Sequence, residues 1–359
     1  MNKIEEVISR ITAPQRLNLQ LAQQVLDNLT KPKGSLGRLE ELACRIAAIS
    51  GSLRPTLEHK VIFTLAADHG VAAKGVSAFP REVTAQMVYN FLRGGAAINV
   101  LAQHAGARVV VADLGVAAQL KPSPGLIVKK VALGTSDMSE GPAMSRAQAI
   151  LAVESGIGIF EEEYAKGTDI IGTGEMGIGN TSAATAITHV FTGIPVRRLT
   201  GRGTGVDDRG LRRKISVIGK AVRVNSPKPD DPLDVLAKVG GFEIAALCGI
   251  ILAACARRVP VVIDGFISGA AALCAFHLHP VVRDYLIAGH CSVEPGHRAL
   301  LVHLRLKPLF DLEMRLGEGT GAALGIWLAE ASVGILTRMA TFKDAKVSRS
   351  PEGGRQGKV

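Results

Sequence analysis

Four short apolar runs, each closed by an acid or a glycine, restrict this chain to one class of fold: HKVIFTLAAD (59–68), ARVVVADLG (107–115), GTDIIGTG (167–174) and VPVVIDG (259–265). They are apolar on both faces and alternate with segments of helical periodicity, the signature of βαβ units. Runs of that kind belong in a parallel sheet covered by helices on each side. The chain is therefore expected to be α/β, a Rossmann-like three-layer domain with a parallel sheet. In such domains ligands bind at the carboxyl edge of the strands, where each of these runs places its acid or glycine.

The flanks read differently. IEEVISRI, LNLQLAQQVLDNL and GRLEELACRIAAI have apolar positions at three- and four-residue spacing, with the turn KPKGSLG between the last two; a long apolar helix follows the loop EMRLGEGTG near the other end. Residues 1–55 and 319–342 are expected to form a small helical domain beside a catalytic domain of residues 56–318. The polar, basic residues 343–359 are expected to be a disordered tail.

Composition narrows the function. Hydrophobic residues make up 47% and charged residues 21%, enough for a packed core, which excludes disorder of the chain as a whole. The net charge of +10 invites a nucleic-acid reading, but the tail supplies part of it and the rest is scattered without interleaved aromatics, so anionic metabolites suit it better. The five cysteines form no CxxC pair, which indicates neither disulfides nor zinc. MNKIEEVISRI lacks the apolar core of a signal peptide, and a cytoplasmic location follows as the expectation. The uncharged stretch 265–282 is broken by Ser268, His277, His279 and Pro280 and reads as a buried helix, not a membrane span.

Several motifs carry chemistry. GTGEMGIGNTSAATAI (172–187) contains a literal GxGxxG at Gly172, Gly174 and Gly177, and Arg197 and Arg198 could serve an NADP-dependent oxidoreductase. Against that, Glu175 places an anion where a pyrophosphate would sit. A smaller anion fits better: the N–H groups of Gly177 to Thr181 hold one phosphate while Glu175 faces a neutral or cationic part of the ligand. A plain glycine turn capped by Asn180 or Thr181 is the structural alternative. RLGEGTGAA sets Glu318 between Gly317 and Gly319, where partial burial would suit a general base, although an acid at a helix N-terminus would look the same. TGRGTGVDDRG (200–210), with Lys214 downstream, is a second possible phosphate cradle; Asp264, Ser268, His290, Ser292 and Glu294 stand at strand ends. Asp68 and His69 suggest a metal, but no further ligand follows at a fitting spacing, so no metal is expected. The residues alone point to an enzyme that handles a phosphorylated ribose and an uncharged ring with a glutamate as base. A phosphometabolite-binding regulator without turnover is the rival outside enzymes.

Together KPKGSLGRLE, ADHGV, EVTAQMV, GPAMSR, GEMGIGNT, KVGGFEIA, DGFISGAAAL and RLGEGTGAAL closely resemble the nicotinate-nucleotide–dimethylbenzimidazole phosphoribosyltransferases. The resemblance implies transfer of 5-phosphoribose from nicotinate mononucleotide to 5,6-dimethylbenzimidazole, giving α-ribazole 5′-phosphate and nicotinate, in a cofactor-free homodimer. It implies that Glu318 is the base. Glu175, Gly177, Asn180, Thr181, Gly203, Lys214, Asp264 and Ser292 would contact the nucleotide, Lys214 as a residue the partner subunit can supply. Phe79, Pro80, Gln86, Met87, Met176 and Leu316 would surround the benzimidazole. Phe79 and Met87 differ from the smaller or more polar residues of some family members, which leaves the preferred base open.

Overall fold

A computed structural model describes residues 3–348. Six strands form one wholly parallel sheet: β1 Lys60–Ala67, β2 Ala107–Gly115, β3 Leu126–Val128, β4 Ile170–Met176, β5 Val261–Ile263 and β6 Leu286–Ala288, in the order β3-β2-β1-β4-β5-β6. The four strands expected from sequence are all present. β3 and β6 were not anticipated, because their apolar runs, LIV and YLIA, are shorter than the VPVVI that announces β5.

Every residue of β1 is buried, as a central strand covered on both faces requires. β1 pairs with β2 on one side and β4 on the other, so the chain order reverses between β1 and β4. That reversal opens a crevice at the carboxyl ends of these two strands. The helix Phe242–Ala256 lies buried against Arg146–Tyr164. The two backbones approach so closely that a methyl on Gly156 would stand 1.9 Å from the Ala246 carbonyl oxygen, and one on Gly249 would stand 2.0 Å from that of Val153. Only glycine permits such a contact.

The chain divides into two compact units. One holds the described residues up to Ala13 together with Leu57–Trp327; the other holds Pro14–Thr56 and the chain from Leu328 on. Two boundaries differ from expectation. The first helix, Lys3–Ser9, belongs to the sheet unit, because Ile4 and Val7 are buried there and the helix packs on Phe242–Ala256. The helix Thr320–Arg338 starts in one unit and ends in the other, so residue 319 is not the limit of the smaller one. By length and hydropathy alone this helix could cross a membrane, yet 56% of its most apolar window is buried inside the protein.

The smaller unit packs Arg16–Asp27 against Arg38–Ser50 around Ala22, Leu26, Ala43, Ala47 and Leu336. KPKGSLGRLE is a structural motif of this unit: Lys31 and Glu40 form a buried ion pair at 2.8 Å, and Glu40 also accepts from the Leu36 N–H at 3.0 Å. Burial pushes the Glu40 carboxyl up, but the Lys31 ammonium and these hydrogen bonds outweigh it and hold the group below the ordinary carboxylate range. Of the expected tail, residues 343–348 turn back through a hydrogen bond from the Ala345 N–H to the Thr341 carbonyl, and the remainder lies outside the described residues.

Candidate active site

The carboxyl ends of β1, β4, β5 and β6 deliver Asp68 and His69, Glu175, Asp264, and His290 in turn. Between them lies a cavity of about 710 Å³. Phe79, Met87, Glu175, Met176, Gly177, Asn180, Thr181, Gly203, Ser292, Leu316 and Glu318 all line it, so most of the residues singled out from the sequence converge. Pro80, Gln86, Lys214 and Asp264 do not line it.

Glu318 sits on a loop of unusual backbone. Gly317, Glu318 and Gly319 have φ of +87°, +64° and +101°, three consecutive left-handed residues of which only one carries a side chain. A non-glycine residue held there stores about 1–3 kcal/mol, and the surroundings must over-determine it. Three contacts do so. The Glu318 carbonyl accepts from the Thr64 hydroxyl at 2.9 Å, and the Gly319 and Gly321 N–H groups donate to Asp264 at 3.1 and 2.6 Å. Gly174 in β4 lies directly beneath, where a methyl would stand 2.2 Å from the Glu318 carbonyl oxygen. Asp264 is thus a support for the loop that carries Glu318, not a cavity contact.

The Glu318 side chain is 5% exposed, and its Oε2 accepts from the Ile98 N–H at 3.3 Å, in the first turn of the helix Ala97–Ala105. Burial raises its carboxyl above the ordinary range; the Ile98 N–H opposes the shift and the Asp264 charge adds to it. Glu175 is pushed up further, first by burial and then by the charges of Glu243, Asp264 and Glu318, against a hydrogen bond from the Asn180 side chain. A protonated Glu175 can donate as well as accept.

The two glycine motifs differ from expectation in detail. Gly172 and Gly174 lie inside β4, not in a turn, so the GxGxxG is no dinucleotide fingerprint. The helix Asn180–Thr192 starts after Gly179, at φ +100°, with no side-chain cap; Asn180 turns to Glu175 instead. In its first turn the Asn180 and Ser182 N–H groups donate to the Gly177 and Gly179 carbonyls at 3.1 and 2.9 Å, and Asn180 and Thr181 line the cavity. Lys214, 1% exposed, donates to the Thr181 hydroxyl at 2.7 Å from its own chain. Burial lowers its ammonium to about 8, with Glu294 opposing the shift. The Gly203 N–H is taken by Glu294 at 2.9 Å, and Arg202 is paired with Asp208, so this second loop is held by acids and offers fewer donors than its glycines suggest.

One wall is apolar. Val83 and Met87 lie one turn apart on Val83–Leu92, and Ala97 and Leu101 one turn apart on Ala97–Ala105, so each pair presents one face. Gln86 falls off that face and is exposed, as is Pro80. Phe79 and Leu316, at 53% and 58% exposure, form the rim. Sequence reading missed Val83, Ala97 and Leu101 because a cavity wall and a core stripe share one helical period. Asp68 and His69 are committed elsewhere: Asp68 accepts from the Ala117 N–H at 2.7 Å, and His69 Nε2 lies 2.7 Å from Glu243. No group of three or more metal-ligating side chains occurs among the described residues.

A family model described as phosphoribosyltransferase matches residues 11–347. The chain is 56% identical over 350 residues to the nicotinate-nucleotide–dimethylbenzimidazole phosphoribosyltransferase of Desulforudis audaxviator, covering 98% of this chain and 99% of that one. It is 58% identical to the enzyme of the same name from a Roseiflexus species, covering 98% and 100%. The crystal structure of the Thermus thermophilus enzyme of this name superposes with a TM-score of 0.89 at 45% identity, over 94% of this chain and all of that one.

Proposed function

The chain belongs to the nicotinate-nucleotide–dimethylbenzimidazole phosphoribosyltransferase family, pentosyltransferases of cobalamin synthesis, and on that premise we propose that it moves 5-phosphoribose from nicotinate mononucleotide to 5,6-dimethylbenzimidazole with Glu318 as general base. One observation carries this reading: a buried carboxylate with a raised affinity for protons shares a cavity with an apolar wall and an uncapped helix N-terminus.

The phosphate binds at the first turn of Asn180–Thr192, backed by Lys214 through Thr181. The benzimidazole lies along Phe79, Val83, Met87 and Leu101. Glu318 takes the ring N–H proton as the ring attacks C1′ of the ribose. The bond from C1′ to the pyridinium nitrogen breaks, its electron pair returns to that nitrogen, and nicotinate leaves with no acid to assist it. Attack opposite the leaving group inverts β to α. Because the leaving group is already cationic, positioning and the nucleophile's proton are what remain for the protein to supply.

The same reading includes a cytoplasmic homodimer. Five cysteines, all free and buried, support a reducing compartment.

Mixing the protein with nicotinate mononucleotide and dimethylbenzimidazole should produce α-ribazole 5′-phosphate, detected by mass spectrometry; absence of product would overturn the reading. The nucleotide should raise the melting temperature, whereas NADPH should bind undetectably by fluorescence.

A further inference from the structure

The segment 75–82 joins the short turn Gly70–Lys74 to the helix Val83–Leu92 and carries Phe79 to the rim of the cavity, outside any helix or strand. Its backbone donors must find partners elsewhere. The Ala78 N–H donates to the Thr204 hydroxyl at 2.9 Å, the Ser77 hydroxyl lies 2.9 Å from the same oxygen, and the Phe79 N–H donates to the Ser77 hydroxyl at 3.2 Å. All three bonds lead to Thr204, 126 residues beyond Ala78 in the chain.

Thr204 also lines the cavity, from a loop that is fixed independently of Phe79. It stands between Gly203 and Gly205, whose φ are +54° and +106°. The Gly203 N–H donates to Glu294 at 2.9 Å, and the Gly205 N–H donates to the Arg202 carbonyl at 3.0 Å. Behind the bridge lies a second cleft, of about 410 Å³, lined by Ser77, Ala78 and Gly205. The stretch from Ser77 to Phe79 therefore has open space on both sides, and hydrogen bonds rather than packing fix it. Beyond Phe79 the segment is tied separately, by Arg81 to the Leu133 carbonyl at 3.3 Å.

The geometry points to Thr204 as a positioning residue that holds Phe79 in place as a wall for the acceptor ring. This rests on the phosphoribosyl-transfer reading, and on the ring lying along Phe79. Phe79 is 53% exposed, so burial does not fix its side chain. A ring that met an unanchored Phe79 would have to order it on binding, and that cost would be subtracted from its affinity. With the bridge made, the wall is ordered in advance. Thr204 acts through Phe79 and not on the reacting atoms, so its effect falls on ring binding and not on the chemical step.

The test is steady-state kinetics of the wild type, Thr204→Val, Thr204→Ser and Ser77→Ala, with each substrate varied in turn. Valine keeps the branched shape and removes the hydroxyl. Thr204→Val should raise KM for dimethylbenzimidazole about tenfold, leaving kcat and KM for nicotinate mononucleotide within about twofold of wild type. Ser77→Ala should shift the ring KM in the same direction, and Thr204→Ser should restore most of the loss. In a Phe79→Ala background Thr204→Val should change the ring KM no further, because the two residues act as one unit. An unchanged ring KM in Thr204→Val, an equal rise in both KM values, no rescue by serine, or an undiminished effect in the Phe79→Ala background overturns the inference. Should Thr204→Val fail to fold, Ser77→Ala with and without Phe79→Ala decides on the same readout. Failure of the parent reading would look different, as no α-ribazole 5′-phosphate from the wild type.

Discussion

The hydroxyl of Thr64, in the middle of β1, donates to the carbonyl of Glu318 at 2.9 Å across 254 residues of chain. This buried bond helps hold a glutamate in the left-handed region and aims its carboxylate into the cavity. Thr64→Val keeps the branched shape and removes the bond. It should cost about 1–2 kcal/mol of stability and lower kcat roughly tenfold, with KM for nicotinate mononucleotide little changed. Steady-state kinetics with thermal denaturation check this; an unaltered kcat would show that the loop holds without Thr64.

Glu318→Gln should lower turnover by about 10²–10⁴ while nucleotide binding survives. The base must be ionised, and burial raises its carboxyl, so wild-type activity should fall with decreasing pH at values above the ordinary carboxylate 4.5. That limb should vanish from the residual rate of Glu318→Gln. A pH–rate profile shared by both proteins would remove Glu318 from the role.

Gly174→Ala should be damaging for a reason in the backbone. Its methyl would stand 2.2 Å from the Glu318 carbonyl oxygen and 2.7 Å from the Gly319 nitrogen, neither the end of a flexible side chain. A loss of about 1–3 kcal/mol and at least a tenfold fall in kcat are expected. Gly141→Ala, with nothing within 4 Å, is the control and should stay within about 0.5 kcal/mol of wild type.

Glu175 carries a pH signature in stability. Its carboxyl is raised in the folded protein, so folding retains a proton that the unfolded chain releases above about 4.5. The stability it contributes is whole below that value and declines as pH rises toward the folded one. Glu175→Gln lacks this decline, so the difference in melting temperature, variant minus wild type, should grow more positive from pH 5 to pH 8. Calorimetry at the two values checks it; a difference that shrinks would contradict the sign.

Residues with a local cue were legible in the sequence. Strands β1, β2, β4 and β5 announced themselves by apolar runs ending in an acid or glycine, and Glu318 by glycines on both sides. β3 and β6 stand in shorter apolar runs, LIV and YLIA, and gave a weaker cue. The support role of Asp264 had none, since a strand-end acid reads alike whether it faces a ligand or holds a loop. Gly203 promised a phosphate cradle, but its N–H is committed to Glu294, 91 residues away.

Sequence alone determined the parallel α/β class, the family resemblance and the glutamate on its glycine loop, because strand patterning, helix period and backbone permissiveness are properties of neighbouring residues. Tertiary structure decided what surrounds that glutamate: Thr64, Ile98 and Asp264 reach its loop from three separate elements, and His290 reaches the cavity from a fourth. Burial and charge set the proton affinities of Glu318 and Glu175, and both are sums over groups that become neighbours only when β1 and β4 lie side by side.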